Sequence, residues 1–147
     1  MANTLFPTVS IPSLSLPKRY NDIRYKRSMA WDLKAGDFVR DGAGKIQEDN
    51  GREAYMVWCI KTSTTERFTK LAYPDTIGGE IEAAKKASSD EAVELALERT
   101  IREAIMVNPR TEYVRDFEFT WIDGDHLRVS FVVKGKNIQE FPLSIEA

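Results

Sequence analysis

The sequence predicts an α+β domain, with two main helices packed on a small antiparallel sheet. Three observations predict it. Apolar residues alternate along the C-terminal third: Phe117, Phe119 and Trp121, then Leu127, Val129, Phe131 and Val133, then Phe141, Leu143 and Ile145. A period of two puts each set on one face of a strand. Upstream, Val93, Ala96, Leu97, Thr100, Ile101, Ala104 and Ile105 recur at helical spacing,. Between these regions stands Asn108-Pro109-Arg110. Proline has no amide hydrogen to donate and disfavours helical geometry in the residue before it, so the helix stops there and a strand follows.

Taken in chain order, residues 1–28 read as an extended arm and residues 29–147 as one α+β domain. Pro7, Pro12 and Pro17 are spaced among Ser, Thr and Leu, a composition that favours extended backbone and builds no core of its own,. A basic patch follows, with Lys18, Arg19, Tyr20, Arg24, Tyr25, Lys26 and Arg27. The segment reads either as a loose terminus or as an arm that docks on a partner or on its own domain. Asp22 interrupts the patch, which argues against a nucleic-acid grip,.

Residues 29–48 read as a small meander that opens the domain with a hairpin. Trp31 and Leu33 alternate with polar neighbours, and Lys34-Ala35-Gly36-Asp37 and Asp41-Gly42-Ala43-Gly44 supply turns,. Asn50 is placed to cap a helix over about 52–62. Its apolar residues (Ala54, Tyr55, Met56, Val57, Trp58, Ile60) cover most of the circumference, the pattern of a buried central helix,. Residues 63–76 read as a loop, and a short helix is expected over 77–86. Ser88-Ser89-Asp90 caps the longer helix over about 91–107, with Glu91 and Glu94 in its first turn, where acids suit the helix dipole,. Asp123-Gly124 and Lys134-Gly135-Lys136-Asn137 turn the sheet, and Pro142 points to an edge strand,.

The chain has 147 residues and a formal net charge of −2, so nothing global drives it toward nucleic acid or an anionic membrane,. No apolar run approaches the roughly 20 residues of a membrane span. The start lacks signal-peptide order, and cytoplasmic synthesis is the expectation. One cysteine, Cys59, lies in the apolar run Met56-Val57-Trp58-Cys59-Ile60 and reads as an inert packed thiol,. One histidine, His126, sits beside the Asp123-Gly124 turn and reads as a solvent-facing residue, not a catalytic base,. The chain has too few Cys and His for a zinc site of that kind, and it has no phosphate-binding loop,. No metal, cofactor or catalytic residue is expected. Two polar features remain: Thr64-Thr65-Glu66-Arg67 and Asn108-Pro109-Arg110. The first is either a solvated loop or an Arg–Glu clamp that pins the loop or a neighbouring subunit. The second is either a plain helix stop or an interface at which Arg110 uses its forked donors.

In this order, the glycine-bearing hairpin, the first helix, Thr65-Glu66-Arg67, Tyr73 ahead of Gly78, the Val-Asn-Pro-Arg corner and the Asp-Gly hairpin resemble the baseplate wedge family of contractile phage tails. That family is the tail-lysozyme-like wedge superfamily, and the likeness is to its PBSX-type (XkdS-like) prophage branch. It spans about residues 29–134. Family members carry a Glu-Arg after the first helix, matched by Glu66 and Arg67, and many carry a Glu-Pro-Arg corner, matched by Asn108, Pro109 and Arg110. Asparagine replaces the acid there, so an ion pair of that glutamate does not carry over. The resemblance implies a non-enzymatic structural subunit of the virion tail baseplate, assembled in the host bacterial cytoplasm. It also implies a role in building the wedge and the platform for sheath assembly, without a cofactor. Its partners would be other baseplate wedge proteins and the tail sheath protein, with tube or hub proteins as further candidates, and neither nucleic acid nor membrane. The alternative of another class is a cell-wall glycosidase working through paired carboxylates.

Overall fold

The computed structural model describes residues 24–124 and 126–147. Lys18, Arg19 and Tyr20 of the basic patch lie outside the described residues. The meander is built from very short strands. β1 (Ser28–Met29) pairs antiparallel with β4 (Glu48–Asp49), and β2 (Trp31–Asp32) with β3 (Asp37–Phe38). Buried Ala30 stitches the two pairs, because its amide donates to Gln47 O while its carbonyl accepts from Val39 N. Leu33, expected to alternate as a strand residue, falls in the β2–β3 turn and is exposed. The Asp32 carboxylate accepts from the Lys34 and Ala35 amides and closes the turn there. Trp31 and Phe38 meet edge to face, with ring centres 5.0 Å apart, and Lys61 Nζ sits 3.6 Å from the Trp31 ring centre. That cation ties the meander to the helix that follows.

Helix α1 (Gly51–Thr64) starts where its cap requires, with the Asn50 side chain accepting from Glu53 N at 2.9 Å,. It is not the buried centre of the core. Only Tyr55, Cys59, Thr62 and Ser63 are buried, while Met56, Val57, Trp58 and Ile60 are half-covered. Apolar circumference reports what a helix could bury, and here α3 takes the central place. Helix α2 is a single turn, Ile81–Ala84, shorter than the expected 77–86. Gly78 has φ +92°, which no right-handed helix accommodates, and Gly79 pairs with Glu66 in a parallel bridge,. Helix α3 (Asp90–Met106) is capped by Ser89, whose hydroxyl accepts from Ala92 N. It buries Val93, Leu97, Thr100, Ile101, Ala104 and Ile105, the stripe read from spacing, with Ala96 half-covered at its margin.

The main sheet has the order β5–β6–β7, from β5 (Thr111–Asp123), β6 (His126–Gly135) and β7 (Phe141–Glu146). Leu127, Val129, Phe131 and Val133 of β6 and Phe141, Leu143 and Ile145 of β7 are all buried on the helix-facing side. In β5 the buried apolar residue is Val114, an even position, whereas Phe117 and Phe119 pack on the same core from odd ones. A bulge reconciles them. The register slips between Arg115 and Glu118, and Asp116 sits at φ +56°. The extra residue restores the face, and Phe117 then stacks on Phe131 at 5.3 Å,.

Both margins of this sheet lack a strand neighbour among the described residues. Pro142 stands on one of them, in β7. Leu127 and Ala147 exchange both backbone bonds. By alternation, the pairs 129/145, 131/143 and 133/141 are also the hydrogen-bonded ones,. Pro142, opposite Val132, therefore belongs to a pair whose amide positions point outward. It costs the ladder nothing and removes one donor from the outer edge.

Candidate assembly surfaces

The Glu66–Arg67 loop is a closed staple. Arg67 N donates to Gly79 O at 2.8 Å, and Gly79 N donates to Thr65 O at 2.9 Å. The Arg67 guanidinium straddles Gly78 O, with Nε at 3.1 Å and Nη2 at 2.9 Å, and Nη1 lies 3.7 Å from Glu80 Oε1. Glu66 does not pair with Arg67. Its Oε2 accepts from Ile81 N and Glu82 N at 3.0 and 3.2 Å, the first amides of α2, which lack helical partners,. Gly78 is required twice over, by its positive φ and because a Cβ there would stand 2.5 Å from Thr65 O,. Glu80 N donates to Thr100 Oγ1 at 2.7 Å and ties the staple to α3. The residues between the stapled ends carry Phe68, Leu71 and Tyr73, all well exposed.

The Asn108-Pro109-Arg110 corner is fixed by its own side chain, as Asn108 Oδ1 accepts from Arg110 N at 3.0 Å. Arg110 Nε donates to Arg24 O at 2.8 Å, across 86 positions of sequence. Tyr25 follows. Its hydroxyl donates to Lys136 O at 2.7 Å, with Arg110 O at 3.3 Å, and its ring meets Tyr55 edge to face at 5.2 Å. Partial burial pushes the Tyr25 hydroxyl above its ordinary pKa, and it stays a donor across the physiological range,. Residues 24–28, the last five of the segment read as an arm, thus form a strap on the domain. Docking on its own domain is one reading of the arm, but nothing in the local pattern announces which residues make the contact. Its one trace in the sequence is a pair of glycines, Gly51 and Gly135, which have Tyr25 atoms where a Cβ would stand.

Beneath the strap lies a polar knot that sequence reasoning also missed. Thr111 donates to Ile105 O at 2.9 Å and receives the Tyr55 hydroxyl at 2.7 Å, which joins α1, the end of α3 and the start of β5. Cys59 is fully buried, and burial pushes its thiol up to about 12, so it stays protonated at neutral pH,. His126 opens β6 opposite Asp123. Among the described residues, no cluster of three metal-ligating side chains occurs, and no helix is long and apolar enough to cross a membrane.

The outward face of the sheet is polar and internally paired. Lys134 meets Glu112 at 2.7 Å, Arg128 meets Glu146 at 2.9 Å, and Tyr113 and Arg115 both reach Glu140 at 2.9 Å. Those two donors hold the Glu140 carboxyl below its usual range,. This geometry offers strand margins, an apolar loop tip and a basic strap, all means of touching another chain. Residues 27–137 match the family model of the contractile injection system sheath initiator. No curated protein matches the chain.

Proposed function

Because the chain belongs to the contractile injection system sheath initiators, a family of structural parts that start the sheath, we propose that it is the baseplate wedge subunit on which the first sheath ring builds. Its place is the tail baseplate of a phage, prophage or tail-like bacteriocin, of the kind resembled by the PBSX-type branch. Its neighbours are other wedge proteins and the sheath protein, with tube or hub proteins beyond them. It works by offering backbone and side-chain surface, not by catalysis.

The observation that carries this reading is the three-stranded sheet whose two margins have no strand neighbour among the described residues, while one of its faces is already covered by helices. A strand from a neighbour pairs with such a margin through main-chain bonds. Pro142 blunts the β7 margin, as natural edge strands often are,. The regular stretch of β5 from Glu118 to Trp121, past the bulge, keeps its outward amides. The incoming strand therefore adds to β5. Glu66 with Arg67, and Asn108 with Pro109 and Arg110, hold the surfaces flanking that core in shape. Of the basic run, Arg24 and Tyr25 dock on the chain's own domain, and Lys18, Arg19 and Tyr20 ahead of them reach a neighbouring subunit.

The glycosidase alternative draws no support. Glu80 and Glu103, the acids flanking the α2–α3 cleft, are each paired with an arginine, at 3.7 Å to Arg67 and 2.9 Å to Arg99. Mixing the folded protein with folded sheath and wedge subunits, followed by sedimentation, tests the proposal. Co-sedimentation with either is expected; its absence with both overturns the reading.

A further inference from the structure

A groove of about 330 Å³ runs between the strap and the first turns of α1. Its floor is aromatic and small, from Tyr25, Tyr55, Trp58, Ala54 and Gly51. Tyr55 and Trp58 lie nearly parallel, with ring centres 6.2 Å apart, and Tyr25 closes the end edge-on. Arg27 and Arg110 stand on the rim beside Lys26, and none of the described residues lining the groove is a carboxylate. That sets it apart from the α2–α3 cleft, lined by Glu80 and Glu103, and from the shallow hollow by the meander, lined by Asp41 and Glu48. In a chain of net charge −2, a groove that gathers cations over an aromatic floor is a local inversion of sign.

We propose that this groove binds an acidic segment carrying apolar side chains, contributed by a different protein of the assembly. Aromatic faces take up the apolar side chains, and the guanidiniums meet the carboxylates, which steers approach and sets specificity. The chain's own residues 1–23 are the wrong occupant by charge, since they hold Lys18 and Arg19 against Asp22 alone. Arg110 contributes in two ways. Its Nε fixes the strap through Arg24 O and so shapes the groove wall, and the residue itself lines the groove.

The proposal rests on the assembly reading, and its test separates the two. Three tryptophans, Trp31, Trp58 and Trp121, report from different places, and only Trp58 lines this groove. Nitrogen–proton spectra of the full chain are recorded with a short peptide alternating Glu with Leu and Phe, and with its lysine counterpart. The glutamate peptide is expected to shift the Trp58 indole alone, with affinity falling as salt rises. Arg27→Glu, an exposed rim change, weakens it about fivefold with the fold intact. Equal binding of the lysine peptide, no Trp58 shift, or occupation of the groove by a peptide of residues 1–23 overturns the proposal. A protein that joins sheath subunits normally while Trp58 stays unmoved sinks the groove assignment and leaves the assembly role standing.

Discussion

Arg67 stands just past the end of α1, and Arg110 just past the end of α3. Both guanidiniums grip a backbone carbonyl of their own chain, Gly78 O and Arg24 O respectively. They differ in reach and in shelter. Arg67 closes a loop over 11 positions with two donors on one oxygen, and only 16% of its side chain is exposed. Arg110 spans 86 positions with one donor, at an exposed strap. The first is a staple that cannot open without unpairing several backbone groups. The second is a latch, a single donor on an exposed segment, and that segment is expected to release before the core unfolds. The same residue type after a helix thus serves two ends, and its acceptor decides which.

The largest effect is expected at the staple. Gly78→Ala forces a side chain into a positive φ and against Thr65 O. That should cost about 1–3 kcal/mol, measured by urea unfolding. Amide exchange at Arg67 and Gly79 should accelerate more than exchange at Leu97 or Val129. If all amides lose protection together, the loop is not a separate closed unit.

At the latch, Tyr25→Ala removes a ring packed on Tyr55 and should cost about 2 kcal/mol,. Tyr25→Phe removes only the hydroxyl bond to Lys136 O and should cost about 1 kcal/mol,. Trypsin then gives the sharper reading: Tyr25→Ala should expose cleavage after Arg24, Lys26 and Arg27 while the domain resists. Unchanged cleavage would mean that the strap is held by something other than this ring.

The comparison also separates what the sequence could and could not reveal. The face sets of α3, β6 and β7 were legible because periods of 3.6 and 2 are local consequences of backbone geometry,. The bulge at Asp116 had a trace, the switch of the apolar pattern from Val114 to Phe117, that alternation counted over 117–121 alone does not reveal. The place of α1 was misread because an apolar circumference says nothing of which neighbour covers it. The motif arginines were legible as residues and not as bonds. Their acceptors are main-chain carbonyls, and a carbonyl has no letter in a sequence. The strap on Arg110 joins positions that only the finished fold brings together.

Lysine in place of each arginine tests shelter directly. A lysine keeps the charge and loses the planar fork. Arg67→Lys should cost about 1 kcal/mol, because a two-donor grip on a mostly sheltered carbonyl is lost,. Arg110→Lys should cost about 0.5 kcal/mol and show itself chiefly as faster trypsin cleavage at the strap,. Equal losses at the two sites would erase the distinction between staple and latch.

The outer sheet face supplies the smallest effect and the control for both. Tyr113 and Arg115 converge on Glu140 at the solvent-facing surface, with no backbone closed by the contact. The Glu140 carboxyl lies below its usual value when folded, so its contribution is present above an unfolded pKa of about 4.3,. It fades as pH falls through the lower folded value. Glu140→Gln should therefore trail the parent chain slightly at neutral pH, and the two melting curves should meet in acid, below about pH 4. A gap at neutral pH as wide as that of Arg67→Lys would mean that solvent-exposed pairs here stabilise as strongly as the sheltered staple. The contrast drawn from burial would then fail.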